Sequence, residues 1–276
     1  MNTMQRTVGD VLREWRQRRH LSQLDLANEA EISARHLSFV ETGRSNPSRD
    51  LLVHLADHLR VPLRERNALL LAGGFAPVYP QRTLDDPSLA AARQAIDLIL
   101  KGHEPYPALA VDRHWNLVAA NRALPVLLDG VAPKLLQPPV NVLRLSMHPD
   151  GLAARIANRS EWRTHVIGRL EYEIDISADL VLVDLLREIR SYPAPPGGGP
   201  ARTPMANMVV PFQLQTEAGM LSFFSTTTVF GTATEVTLSE LAIESFFPAD
   251  RATADTMQHL MANAGTQGTR ELTTDE

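Results

Sequence analysis

Apolar positions in the first seventy-five residues recur with a helical period. Val8, Val11, Leu12 and Trp15 stand at i, i+3, i+4 and i+7, which predicts an amphipathic helix over 8–19. A second pattern opens at Ser22, an N-cap residue type, with Leu24, Ala27 and Ala30 on one face. Glu31-Ile32 forms a corner. Ser33 then caps a third helix whose inward residues are Leu37 and Val40, with Ala34, Arg35, Ser38 and Phe39 on its other faces. Asn46-Pro47-Ser48 is a turn, and Ser48 caps a fourth helix carrying Leu51, Leu52, Leu55 and Leu59. Pro62 suits the first turn of a fifth, with Leu63, Asn67, Leu70 and Leu71 around it and Gly73-Gly74 at its end. Two short helices at a tight corner make a helix-turn-helix, whose second helix can enter the DNA major groove.

Beyond that module the pattern changes twice. Residues 75–82 hold two prolines and read as an extended connector. Asp86-Pro87-Ser88 starts a helix with Leu89, Ala92, Ile96 and Ile99 along one face. From Tyr106 a period of two takes over: Leu109 and Val111, then Trp115, Leu117 and Ala119, flank Asp112-Arg113-His114, a hairpin signal. Asn121 can cap a helix containing Leu124, Leu127 and Leu128. Residues 141–148 are mostly apolar, and Pro149-Asp150-Gly151 turns the chain. Helices are expected over 152–172, with Leu152, Ile156, Trp162, Val166 and Leu170 recurring, and over 179–190, with Leu182, Leu185, Leu186 and Ile189 inward. Pro193 to Pro204, with five Pro and three Gly, is a loop. Three strand-like runs follow, at 208–214, 220–230 and 236–247, and residues 250–276 read as a polar, partly disordered tail. The expected fold class is multidomain α and α+β. Its divisions are a helix-turn-helix domain at 1–76, a connector and linking helix at 77–103, an antiparallel sheet with helices at 104–249, and the tail at 250–276.

Composition changes this picture in one respect. The chain has 276 residues, 44% hydrophobic and 21% charged, with no cysteine. It is long enough for two ordinary cores, and it carries no disulfide framework, thiolate metal site or cysteine nucleophile. With no apolar run near eighteen residues and no signal-peptide pattern at the N-terminus, a cytoplasmic location and no membrane partner are expected. The net charge of −5 is unusual for a nucleic-acid binder until it is divided by region. Residues 1–82 hold twelve Arg, no Lys and nine Asp or Glu, a net +3, so the remainder is −8. A mildly basic head on an acidic body fits local DNA contact. Arg13, Arg16, Arg18 and Arg19 on the first helix are either a solvated face or phosphate contacts.

The stretch LSQLDLANEAEISARHLSFVETGRSNPSRDLLVHLADHL resembles the helix-turn-helix of the phage-repressor-like (XRE) regulators. Gln23, Leu26, Ala27, Ile32, Ser33, Leu37, Glu41, Gly43, Pro47 and Ser48 occupy that family's positions. The corner has Glu31 where the family often has Gly, which implies a less strained backbone there. The resemblance implies that Gln23 hydrogen-bonds a phosphate and braces the recognition helix, and that Ser33, Ala34, Arg35, Ser38 and Phe39 face the groove. Arg35 is the chief candidate for base reading, because Arg pairs bidentately with guanine O6 and N7. Phe39 either meets a thymine methyl or seals the domain. Arg44 and Asn46 are expected to contact the DNA backbone.

Further on, AVDRHWNLVAANRA (110–123), NVLRLSMHPDGLAARIANRSEW (141–162) and LSFFSTTTVFGTATEVTLSELAIESFFPADRAT (221–253) resemble a PAS-like domain. With the N-terminal module they resemble the MmyB-like transcriptional regulators across nearly the whole chain. That resemblance implies a ligand-binding C-terminal domain, in which members have been seen to hold a fatty acid.

Catalytic patterns are absent from the sequence. There is no Gly-x-Ser-x-Gly elbow, Walker sequence or dinucleotide-binding glycine pattern, and Gly197-Gly198-Gly199 lies between prolines. His54 and His58 have metal-ligand spacing, but a polar helix face explains them better. No enzyme activity, metal or cofactor is expected, apart from a bound fatty acid or similar apolar ligand. A sheet curved over helices can leave an apolar pocket, for which Val111, Trp115, Leu117, Phe212, Leu214 and Phe223 are the candidate lining residues. Arg144, flanked by leucines, either holds a ligand carboxylate or pairs with a body carboxylate such as Glu161. The expected partners are double-stranded operator DNA, a small apolar ligand and a second copy of the chain. The alternative is a body that serves as a protein-interaction or dimerisation module without a small-molecule ligand.

Overall fold

The computed structural model describes residues 6–194 and 210–271, with the backbone alone for 264–271. The chain divides into two compact units. The first comprises residues 1–83 with the short segments 175–178 and 232–239, and the second holds the rest.

Five helices build the first unit: α1 (Val8–Arg18), α2 (Gln23–Glu29), α3 (Ala34–Glu41), α4 (Arg49–His58) and α5 (Leu63–Ala72). The first four start where a hydroxyl side chain accepts the N–H of the third helical residue, at Thr7, Ser22, Ser33 and Ser48. Leu12, Trp15, Leu26, Leu37, Val40, Leu52, Leu55 and Leu70 meet in one core. Two positions depart from the sequence expectation. Leu24 is 59% exposed and Leu26 takes the inward place on α2, while Leu71 is 60% exposed and Leu69 is buried. On so short a helix, simple three-residue spacing fixes the inward face only to within one residue. Gly9 lets α1 lie against α3, since a Cβ there would stand 2.6 Å from the Val40 carbonyl oxygen.

The corner after α2 overturns the expectation of a relaxed backbone. Glu31 has φ +52°, in the left-handed region, because the Ile32 N–H closes the helix end on the Ala27 carbonyl (2.9 Å). A side chain there costs roughly 1–2 kcal/mol, which glycine avoids at an entropic cost of about 0.5–1 kcal/mol. Glu31→Gly is therefore expected to stabilise the protein by up to about 1 kcal/mol. An unchanged or lower urea midpoint for the variant would contradict this account.

The second unit is an antiparallel five-stranded sheet with helices. Its elements are α6 (Ala90–Gly102), β1 (Ala108–Val111), β2 (Leu117–Ala120), α7 (Leu124–Leu127), α8 (Val142–Met147), α9 (Arg159–Ser177, of which 175–177 fall in the first unit), α10 (Leu180–Ser191), β3 (Phe212–Thr216) and β4 (Gly219–Val229). Then come α11 (Val236–Ser239, in the first unit), β5 (Ala242–Pro248) and α12 (Arg251–Glu271). The strand order is β2-β1-β5-β4-β3, with every pairing antiparallel. Alternation along β1 separates two cores. Ala108 and Ala110 pack beneath Ile96 and Leu100 of α6, whereas Leu109 and Val111 join the main core with Phe212, Leu214 and Phe223.

Several boundaries differ from those expected. Residues 141–148 contain a helix, α8, because Asn141 caps it by accepting the Arg144 N–H. The helix expected over 152–172 begins only at Arg159, after the turns of 152–158. The run expected as a strand over 236–247 is one helical turn followed by β5. Asn121 caps no helix: its buried amide binds the Ala108 N–H and the carbonyls of Leu100 and Tyr106. Of the tail expected over 250–276 to be polar and partly disordered, Arg251–Glu271 is helical, and 272–276 lie outside the described residues. Asp250 accepts the Thr253 N–H, Thr253 accepts the Ser222 N–H, and Met257 is fully buried. Most of the loop expected at 193–204, and the start of the strand expected at 208, lie outside the described residues. Leu89, just before α6, and Ile96 and Leu100 on it are buried within the unit, leaving Leu98 and Ile99 exposed.

Candidate DNA interface and ligand cavity

The outer face of α3 is held by a buried polar network. Glu41, 2% exposed, accepts two hydrogen bonds from Arg16, Nε to Oε1 at 2.7 Å and Nη2 to Oε2 at 2.8 Å, and a third from Gln23 Nε2 at 2.8 Å. Arg16 also donates to the Leu21 carbonyl (2.8 Å) and Arg13 to the Glu41 carbonyl (3.2 Å). Burial pushes the Glu41 carboxyl up, but the hydrogen bonds from Arg16 and Gln23 prevail and hold it below its ordinary value. Three helices are thereby tied through one carboxylate. Gln23 on α2 grips Glu41, the last residue of α3. Arg16, read from sequence as either solvated or phosphate-binding, is neither: it is the buried partner of Glu41. Arg18 pairs with Glu14, and Arg19 donates to the Leu59 carbonyl while lying over the Trp15 ring.

On the outer face, Ser33 accepts the His36 N–H, Ala34, Ser38 and Phe39 are half-buried, and Arg35 is exposed. The Arg35 guanidinium carbon lies 5.3 Å from the centroid of the Phe39 ring, so Phe39 forms a shelf beneath it. Arg44 and Asn46 are exposed in a loop anchored by the Arg44 and Ser45 N–H groups on the Phe39 carbonyl. His54 and His58 pack edge to face, and among the described residues no three His, Asp or Glu cluster as metal ligands would.

In the second unit one face of the sheet and the helices form a partly open apolar cavity of about 90 Å³. Of the candidates named from sequence, Trp115, Leu117 and Phe212 line it. Val111, Leu214 and Phe223 are in the core and not on the wall. Arg144 is also off the wall, bonded to Glu188 by Nε and Nη2, both at 2.7 Å, rather than to Glu161. The guanidinium holds the Glu188 carboxyl below its ordinary range.

Sequence reasoning passed over the cavity's polar end. Trp162, His165, Val166 and Arg169 follow i, i+3, i+4, i+7 on α9 and all line the cavity, so helical spacing was the available signal. Arg169 Nη2 donates to Glu244 Oε1 (2.7 Å) and to Thr227 Oγ1 (3.0 Å), and its Nε donates to Glu173 Oε1 (3.3 Å). Its guanidinium carbon lies 4.3 Å from the Trp115 ring centroid, and Trp115 Nε1 donates to Glu173 Oε2 (2.7 Å). Burial pushes the Glu173 carboxyl above its ordinary value, against the hydrogen bond from Trp115 and the charge of Arg169.

Burial, reinforced by Arg169, pushes His165 below its ordinary value, with Glu244 opposing. A base whose folded pKa is depressed stays neutral in the fold while the unfolded chain takes up a proton. This group's stability is thus full above the ordinary histidine value of 6.5 and is lost as pH falls through the folded value. Lowering the pH from 7.5 to 5.5 is expected to lower the urea midpoint of the protein, and His165→Asn to flatten that change. A variant with the same pH slope would exclude His165 as its source.

The fold is thus a helix-turn-helix unit followed by a sheet-and-helix unit with an apolar cavity. Residues 7–69 match the helix-turn-helix domain family. Residues 92–260 match the MmyB-like transcription regulator ligand binding domain, and the chain belongs to that family. It is 32% identical over 119 residues to a protein of Methanoculleus marisnigri named "Putative HTH-type transcriptional regulatory protein". The match spans 41% of this chain and 38% of that relative. Among the described residues no helix is long and apolar enough to cross a membrane.

Proposed function

We propose that the protein is a one-component transcription regulator whose second unit, a PAS-like domain, senses a small apolar molecule. The observation that carries this is the apolar cavity, walled by leucines, valines and aromatics with a few polar groups at one end. The sheet order β2-β1-β5-β4-β3 supports the PAS-like assignment. The protein binds its operator as a homodimer, since paired recognition helices read half-sites about one helical turn apart. Ligand acts by favouring one arrangement of the two heads, which requires unequal affinity for the two arrangements.

Selection of bound sequences from a random DNA pool by the full-length protein tests this reading. An enriched inverted repeat whose affinity changes when apolar extracts are added is the expected result. No enrichment, or affinity indifferent to every apolar additive, sinks it. On the selected site Arg35→Ala is expected to cost about 1–3 kcal/mol of discrimination at one base position. Equal loss at all sequences would make Arg35 a phosphate contact instead.

A further inference from the structure

We propose that Phe39 acts on base recognition through Arg35, as a positioning residue that fixes the plane in which the guanidinium meets a guanine. This rests on the operator-binding reading above and names how one base of the operator is chosen.

Both residues lie on α3, four positions apart. Helical side chains lean toward the N-terminus, so a ring at 39 is placed over the turn that carries Arg35. The guanidinium carbon stands 5.3 Å from the ring centroid, within reach of the attraction between a cation and an aromatic face. The one acid on α3 is Glu41, and Arg16 and Gln23 occupy it. Arg35 therefore has no carboxylate on its own helix to draw it away from the ring.

The ring in turn stands on fixed backbone. Phe39 is half-buried, and Leu37 and Val40 on the same helix are fully buried. Its carbonyl accepts the Arg44 N–H at 2.8 Å and the Ser45 N–H at 3.1 Å. Two residues on, Glu41 ties the helix end to α1 and α2. Arginine gives up much rotamer freedom when it docks, and a support already present in the free protein removes part of that loss. Bidentate pairing with guanine O6 and N7 needs a flat guanidinium in the plane of the base. A guanidinium resting on a fixed ring has that plane set before DNA arrives.

The test is a double-mutant cycle in the full-length protein. Two duplexes are compared at one salt concentration: the selected operator, and the same operator with the guanine read by Arg35 replaced by adenine. Discrimination is the ratio of their Kd values. Phe39→Leu keeps an apolar side chain but loses the ring, and should lower discrimination about fivefold while affinity for an unrelated duplex stays within about twofold. Phe39→Tyr, which keeps the ring, should retain discrimination. In Arg35→Ala, adding Phe39→Leu should change discrimination no further, since a support with nothing to hold has no effect. Phe39→Met takes the place of Phe39→Leu if that variant fails to fold. Discrimination unmoved by loss of the ring, a loss equal on all duplexes, or losses that add in the double variant overturns the proposal and leaves Arg35 as the reader. Selection that enriches no Arg35-dependent guanine overturns the base-reading role of Arg35, and this proposal with it.

Discussion

Glu41→Ala is expected to lower the stability of the helix-turn-helix unit by about 3–5 kcal/mol, because it leaves Arg16 charged, buried and unpaired. Domains of this kind hold roughly 5–15 kcal/mol in total, so much of the unit's margin is removed by one truncation. Gln23 loses its acceptor at the same time, and α3 loses the tie that fixes its end to α1 and α2. Operator binding should fall with folding, although Glu41 is buried and faces no DNA. Hydrogen exchange in the full-length protein measures this directly. Peptides covering residues 8–72 should lose protection, while those covering β4 and β5 keep theirs. The double variant Arg16→Met with Glu41→Leu should recover part of the loss, since removing both charges leaves none stranded. A single variant less than about 1 kcal/mol below the natural protein would show that the network carries little. The same carboxylate predicts acid sensitivity. Its folded pKa is depressed, so its contribution is present above the ordinary glutamate value of 4.5 and is lost as pH falls through the folded value.

Arg169→Leu should damage the second unit on a similar scale, about 3 kcal/mol or more, since Glu244 and Glu173 then lose their common cation. The cation–π contact with Trp115 is lost too, and with it the support of a cavity-wall ring. Exchange should rise in peptides covering α9, β1 and β5 and remain unchanged in α1 to α5. Adding Glu244→Gln should restore part of the stability, because Glu244 is the more deeply buried of the two carboxylates. If the double variant is less stable than Arg169→Leu alone, Glu244 contributes through the hydrogen bond it accepts from Thr227 and not through charge balance.

These two positions also mark how far the sequence could be read. The first four helices of the first unit were legible because α1 carries a local apolar stripe and α2, α3 and α4 each open on a serine cap. The β1–β2 hairpin and α10 were legible for the same reason: Val111 pairs with Leu117 across a short turn, and Leu182, Leu185, Leu186 and Ile189 all turn inward. The exposed side of α3 followed from the places of Leu37 and Val40, so Arg35 could be set outward without any structure. Where the sequence expectation failed, a distant partner decided. The tail is a helix because Thr253 and Met257 find β4 and the main core, 31 residues separating Thr253 from Ser222. Arg144 was claimed by Glu188, 44 residues away, and Arg16 by Glu41, 25 away. His165 and Arg169 gained their meaning only when β5 brought Glu244 beside them, 75 residues on.

By itself, the sequence determined the family, the helices of the first unit with most of their inward residues, and the presence of an antiparallel sheet. Tertiary structure alone decided which charges are buried and with whom, and hence which residues line the cavity and what charge it presents. The reason is physical. Periodicity and capping act over a few residues and leave a local record. Desolvation and ion pairing depend on neighbours that folding brings in from far along the chain.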